Sequence, residues 1–416
     1  MVKRIALLHY AGPPGIGGVE AIISAHATAL SAHGYPVRII AGNGGTLTAP
    51  IETHIQPLFS STHPDILTVK SALDRGEVPP AFAALHDQLT NELAAALSDC
   101  DVCIAHNVPT LHKNLPLTAA LHTLHQQRAF KLIAWCHDFA WMNPLYAADL
   151  HDGYPWNLLR QPWAGAHYVT ISEQRRDEMS QMMDLPAEQI HIIGGGLDLA
   201  RFLRLTPLAT QIVARLSLFA ADGLLLLPAR ITRRKNIALA LHILAALRAQ
   251  SSRDWRLLVT GAPGPHNPAN AEYLRELLVL RDRLQLEGSA HFLYTCGDDS
   301  AVPLLLEDED VASLYAVADG LLFTSTQEGF GIPILEAGAA GVMIACADIP
   351  ALRELAGDDA LYFDPVQGNP DAIARDMLRA FGASPRYRLR VRVRQQYGWD
   401  AVIRNQIQPL LEDTDV

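Results

Sequence analysis

Apolar residues in this chain arrive in short runs, and each run is followed by a stretch of helical period. Strand patterns fall at 4–10, 35–41, 101–105, 131–136 and 166–172. An alanine-rich helical stretch at 20–33, closed by Gly34, lies between the first two. The cycle restarts at 224–229, with a helix at 236–250, a strand at 255–261, a helix at 271–286 and a strand at 291–295. A helix at 310–318, a strand from Gly320, a further helix and a strand at 342–345 complete it. Strands alternating with helices predict parallel sheets with crossover helices, an α/β fold of two doubly wound halves joined near 194–202. The length of 416 residues agrees, because a single core usually stops growing well below that size. Ligands of doubly wound sheets bind off the carboxyl ends of the strands, so two facing sheets would place a site in the cleft between them.

Composition narrows the partners. With 33 basic against 44 acidic residues the net charge is -11, which argues against nucleic acid or an anionic bilayer as the main partner. Met1-Val-Lys-Arg runs straight into an apolar strand with no long signal-type segment, and no apolar stretch is long enough to span a membrane. The expectation is a cytoplasmic protein without an integral membrane segment, with peripheral membrane contact left open. Five cysteines do not make a disulfide scaffold, and Cys100 and Cys103, at the start of a strand, read as buried thiols.

Chemistry concentrates in Ser325-Thr-Gln-Glu-Gly-Phe-Gly-Ile-Pro-Ile-Leu-Glu-Ala-Gly-Ala-Ala-Gly341, across a strand-to-helix turn. Pro333 suits the first position of that helix. Glu328 would sit on the loop and Glu336 one turn inside the helix. Between them the backbone N–H groups of Gly329, Phe330 and Gly331 would face an anionic or hydroxyl-rich ligand at a helix N-terminus. Two carboxylates beside such donors can accept from several sugar hydroxyls, which suits a sugar nucleotide. Ala229-Arg-Ile-Thr-Arg-Arg-Lys-Asn236 packs four cations at the carboxyl end of a strand, where Arg and Lys suit phosphate oxygens.

Other motifs are weaker. Gly12-Pro-Pro-Gly-Ile-Gly-Gly-Val-Glu20 fails as a dinucleotide fingerprint, because Glu20 stands where the third glycine belongs. Asp308-Glu-Asp310 directly precedes a helical run and reads as a helix start, so no metal is assigned. Trp135-Cys-His-Asp-Phe139 closes a strand. Trp135, Trp141, Trp156 and Trp163, with Tyr146 and Tyr154, line a sugar-sized groove or pack a core. The alternating Arg386, Arg388, Arg390, Arg392 and Arg394 read as a solvated helix, with an anionic partner as the other reading.

The string Glu-Gly-Phe-Gly-Ile-Pro-Ile-Leu-Glu-Ala resembles the signature of retaining glycosyltransferases of family four, the glycosyl transferases group 1. The resemblance covers most of 1–385 and is strongest after Leu224. It implies the GT-B fold, two Rossmann-like domains facing an interdomain cleft: an acceptor-side domain at 1–200 and a nucleotide-sugar domain at 201–385. Helices at 386–416 would return to the first domain. It implies that Glu328 lies by the transferred sugar and Glu336 binds the ribose. Arg230 and Lys235 match the family's paired diphosphate ligands, while Arg233 and Arg234 take no role. Gly17 and Gly18 resemble the loop that approaches the donor phosphates and acceptor, and His137 matches a contact of the donor sugar. His106 is a weaker candidate. The junction Gly195-Gly-Leu-Asp198 departs from the family's Asn-Gly-Val-Asp, and 294–308 is longer than its usual connection.

The expected activity is retaining, metal-independent transfer of a hexose from a nucleoside-diphosphate sugar to a hydroxyl acceptor, small and polar or itself a sugar, with no cofactor. Arg230, Lys235, Glu328 and His137 are the expected catalytic group. Alternatives are a sugar-nucleotide epimerase on the same fold and a non-catalytic sugar-nucleotide-binding protein. The sugar, the base, the acceptor and the oligomeric state stay open.

Overall fold

The computed structural model describes residues 2–15, 17–47, 50–127, 130–297 and 302–413. Ile16, within the first glycine loop, and 298–301, within the long connection, lie outside the described residues. The chain divides into two compact units, Met1–Leu197 with Trp399–Val416, and Asp198–Gly398.

The first unit is built on a parallel seven-stranded sheet. Its strands are β1 (Ile5–His9), β2 (Val37–Ala41), β3 (Glu52–Ile55), β4 (Val102–His106), β5 (Lys131–Cys136), β6 (His167–Thr170) and β7 (Ile190–Ile192). The order is β3-β2-β1-β4-β5-β6-β7. β1 and β4 are buried along their whole length, so both faces of the sheet must be covered. Ile5 and Leu7 point into one core with Ile23, Ala27 and Leu30 of the helix Gly18–Ala32. Ala6 and Leu8 point into the other, with apolar residues of the helices Pro64–Leu73, Pro80–Leu97 and Leu115–Gln126.

The end of the chain belongs to this unit. Val402, Ile403, Ile407, Leu410 and Leu411 are buried in the core that holds Ile5 and Leu7. Full burial of such a side chain contributes roughly 1.5 to 3 kcal/mol. Lys3 and Lys131 donate to the carbonyls of Leu411 and Leu410, at 2.5 and 2.8 Å, at the carboxyl end of the last helix, where cations are favoured.

The second unit is a parallel six-stranded sheet: β8 (Gly223–Leu227), β9 (Trp255–Val259), β10 (Ala290–Phe292), β11 (Gly320–Phe323), β12 (Met343–Ala347) and β13 (Leu361–Phe363). The order is β10-β9-β8-β11-β12-β13. In each unit the winding reverses once, between β1 and β4 and between β8 and β11. Such reversal points are where doubly wound sheets bind ligands.

The segment from Pro385 to Gly398 stays with the second unit, whereas all of 386–416 was expected to return to the first. Tyr387 is buried there, stacks on Trp255 at 6.0 Å between ring centroids, and donates to the Asp222 carbonyl at 2.7 Å. The expected solvated arginine face is also corrected. Arg386, Arg388 and Arg392 are exposed, but Arg394 is buried and makes a two-pronged ion pair with fully buried Asp319, at 3.0 and 2.8 Å. Arg390, half-buried, donates to the carbonyls of Ala316 and Ala318 at the end of the helix Asp308–Val317. Periodicity alone could not reveal this, because the partner carboxylate is far off in sequence. Among the described residues no helix is long and apolar enough to cross a membrane.

Candidate active site

In the second unit the loop after β8 and the loop after β11 are tied together side by side. Thr324 Oγ1 donates to the Lys235 carbonyl at 2.9 Å, and the Thr326 N–H donates to the Arg234 carbonyl at 2.8 Å. Asn236 turns the first loop into the helix Ile237–Ser251 at φ 49°, a conformation asparagine tolerates. Its side chain donates to the Pro365 carbonyl at 2.8 Å.

These ties bring Lys235 and Glu328 into contact. Lys235 Nζ lies 2.5 Å from Glu328 Oε1, and Arg234 donates to Oε2 at 3.0 Å and to the Gln327 carbonyl at 3.0 Å. The Lys235 and Glu328 side chains are only 11% and 8% exposed, so the pair is shielded from solvent screening. Burial works to raise the Glu328 pKa, but the hydrogen bonds and charge of Lys235, joined by Arg234, hold it below the ordinary carboxylate value. Two cations on one carboxylate leave one positive charge over. Arg230, exposed at the head of the same loop and outside this cluster of ion pairs, adds another. The expectation gave Arg234 no role, and only the tertiary pairing reveals it.

Gly329 and Phe330 follow on the surface, Phe330 being 54% exposed. Gly331 caps the helix Ile332–Ala340 at φ 107°, where a side chain would be strained and would collide with Leu352. Pro333 is the second residue of this helix. Glu336 is exposed on its first turns, with Oε2 3.0 Å from the Tyr315 hydroxyl. Burial and the Glu336 charge raise the Tyr315 pKa, which keeps the phenol protonated as a donor.

The Asp308-Glu-Asp310 string begins the helix Asp308–Val317, with Asp310 in a capping box with Glu307. The Asp310 carboxylate also accepts from the Thr206 hydroxyl at 2.5 Å.

In the first unit, Gly17 is the N-cap of the helix Gly18–Ala32, and the Glu20 carboxylate folds back over it into the space a Cβ would take. His106 ends β4 and Asn107 follows it, and His137 follows β5. Asn107, at φ 59°, accepts through Oδ1 from the N–H groups of His137 and Asp138, at 2.7 and 3.2 Å. His137 is buried, and its Nε2 lies 3.1 Å from His106 Nδ1. Burial and the charge of His9 push the His137 pKa down to about 4, so the ring is neutral at pH 7.

Trp135, Trp156 and Trp163 are core residues. Trp141 is half-buried under the Arg160 guanidinium, 4.0 Å from the ring centroid, and Tyr154 is exposed. Cys100 and Cys103 are buried free thiols. One polar cluster was missed because its members are distant in sequence: Asp74, His112 and Asp149 bring ligand-type atoms within 4.8 Å of one another. Lys70 already holds both oxygens of Asp74 at 2.7 Å.

Comparison with known proteins identifies a family. Residues 16–201 match the model described as Glycosyltransferase Family 4, and residues 211–395 match Glycosyl transferases group 1. The chain is 28% identical over 212 residues to the O-antigen chain mannosyltransferase B of Escherichia coli, covering 51% of this chain and 50% of that protein. It is 36% identical over 221 residues to the O-antigen chain mannosyltransferase RfbU of Salmonella typhimurium, covering 50% and 53%. The chain thus spans about half the length of these relatives. A solved structure of sucrose-phosphate synthase from Thermosynechococcus elongatus aligns over 98% of both chains, at 18% identity and a TM-score of 0.37. With a family match on each doubly wound unit, the chain belongs to the glycosyltransferases of family four, the glycosyl transferases group 1, of GT-B type.

Proposed function

We propose that the protein is a retaining, metal-independent hexosyltransferase that takes its sugar from a nucleoside diphosphate and passes it to a hydroxyl acceptor, small and polar or itself a sugar, in the cytoplasm. The supporting observation is the Arg234–Lys235–Glu328 cluster at the reversal point of the second sheet, with exposed Arg230 on the same loop. As the glycosidic bond breaks, negative charge grows on the leaving diphosphate. Arg230 and Lys235 act on that charge, and preorganised cations there lower the barrier without the reorganisation water would need. Glu328 orients the transferred sugar and also holds Lys235. The N–H groups of Gly329, Phe330 and Gly331 bind the donor, and Glu336 takes the ribose hydroxyls. In the first unit, Gly17, Gly18 and His137 are proposed as donor contacts on the family resemblance. The fixed cations take the role a divalent ion has in other transferases, and Asp310 is committed to its helix cap. The names of the relatives make a mannosyl donor the first to try.

The test is release of nucleoside diphosphate from a set of nucleotide sugars, with a panel of sugar acceptors and with a chelator present. Acceptor-dependent release that survives the chelator, and that falls roughly 100-fold in Arg230→Ala, is expected. Binding without release would mark a sensor, and a changed donor sugar without acceptor would mark an epimerase.

A further inference from the structure

Four histidines of the first unit are buried close together: His9 and His106 end β1 and β4, His137 follows β5, and His26 lies on the helix Gly18–Ala32. Their bonds are directional. His9 Nδ1 is 2.7 Å from the His106 carbonyl oxygen, which can only accept, so His9 carries its proton there. His106 Nδ1 and His137 Nε2 are 3.1 Å apart, with the rings inclined by 20°. A hydrogen bond between two neutral imidazoles needs a proton on one nitrogen and a lone pair on the other, and burial keeps both rings neutral at pH 7.

Two arrangements satisfy that bond. In one, His106 donates from Nδ1, its Nε2 is a lone pair, and the proton of His137 sits on Nδ1. In the other, His137 donates from Nε2 and the proton of His106 sits on Nε2. The second nitrogen of His106 decides between them. His106 Nε2 is buried and, among the described residues, has no hydrogen-bond partner. An orphaned buried N–H is rarer and costlier than an under-satisfied acceptor, so the proton belongs on Nδ1.

We propose that His106 is a positioning residue that donates from Nδ1 to His137 Nε2 and so holds His137 as the Nδ1–H tautomer, a fixed donor toward an oxygen of the ligand. His137 then offers a hydrogen bond to a hydroxyl or phosphoryl oxygen and does not act as a base. Asn107 complements this by holding the His137 backbone, so consecutive residues fix both the place and the protonation of one ring. The ligand rests on the proposed function; the tautomer does not. A solvated histidine side chain favours the Nε2–H form, so the expected state is distinguishable from an unconstrained one.

Long-range ¹H–¹⁵N spectra of the full chain with labelled histidine, near neutral pH, test it. His137, identified by its loss in His137→Asn, should show a pyrrole-type Nδ1 and a pyridine-type Nε2. His106→Asn places an amide N–H near the lost Nδ1 and should keep that pattern, whereas His106→Leu should release His137 to Nε2–H. The opposite pattern in the wild-type protein, or an unaltered His137 in a folded His106→Leu, overturns the proposal. Should His106→Leu not fold, the wild-type spectrum and His106→Asn decide. Turnover should fall about tenfold in His106→Leu, the loss of one hydrogen bond, and much less in His106→Asn. Full turnover in His106→Leu with the expected spectra would uphold the tautomer and remove His137 from the donor contacts.

Discussion

The Lys235 ammonium and the Glu328 carboxylate, borne on loops that follow two adjacent strands, meet at 2.5 Å with both side chains largely buried. Each therefore sets the other's position and charge environment. The sequence suggested two separate roles, Lys235 on the leaving group and Glu328 on the sugar. The contact couples them.

Coupled residues lose less together than apart. Lys235→Ala and Glu328→Gln should each lower kcat, and the double variant should fall short of the sum by roughly 0.5 to 3 kcal/mol. Steady-state kinetics of the four proteins read this coupling directly. Strict additivity would mean that the pair does not act as a unit in the transition state.

Glu336 stands apart from that pair, so its loss should show in nucleotide binding. Glu336→Gln should weaken binding of the bare nucleoside diphosphate by roughly 1.5 to 3 kcal/mol, the range for a hydrogen bond to a charged group. Tyr315→Phe, which removes only the hydroxyl shared between Glu336 and the Pro333 carbonyl, should cost less. Calorimetric titration checks both, and undiminished affinity in Glu336→Gln would exclude it from the ribose site.

The Arg394–Asp319 pair should matter for stability rather than activity. Arg394→Met leaves a fully buried carboxylate short of its main partner, a loss of about 3 to 5 kcal/mol. Arg390, 3.6 Å from the same carboxylate, should keep the value near the lower end. Urea unfolding measures it. A loss below about 1 kcal/mol would return this arginine to the surface role first expected of it.

The buried histidines make the first unit sensitive to acid. Burial lowers the pKa of His26 to about 3 and that of His137 to about 4, from an ordinary 6.5. As pH falls below 6.5 the unfolded chain takes up these protons before the folded one does. Stability is then full above pH 6.5 and declines toward pH 4, by up to about 1.4 kcal/mol per pH unit for each group. Thermal unfolding at pH 7 and pH 5 should show the drop. His26→Phe, which keeps an aromatic ring between Trp135 and Trp399, should make it shallower, and an unchanged slope would refute the assignment.

Much of this architecture was legible in the residues. β1, β4, β5, β8 and β11 lie inside their sheets, covered on both faces, and so appear as unbroken apolar runs. The strands left unassigned, β3, β7 and β13, are all at sheet edges: β3 and β7 mix polar with apolar residues, and β13, though apolar, is only three residues long. Glycine and proline marked the turn into the helix Ile332–Ala340 because backbone geometry favours those types there, and the two glutamates stood out beside it as hydroxyl acceptors. Arg234, Tyr315 and Asn107 were not legible, since each matters through a partner that the fold alone brings near. The arginine run misled for the same reason.

Transfer with retention is tested most directly by the anomeric configuration of the product. Given a nucleoside-diphosphate α-mannose and an acceptor that supports release, the one-bond C1–H1 coupling of the transferred sugar distinguishes the two anomers. An α-linked product is predicted. A β-linked product would contradict same-face transfer and require an attack from the opposite side that Lys235, Arg230 and Glu328 have not been assigned to support.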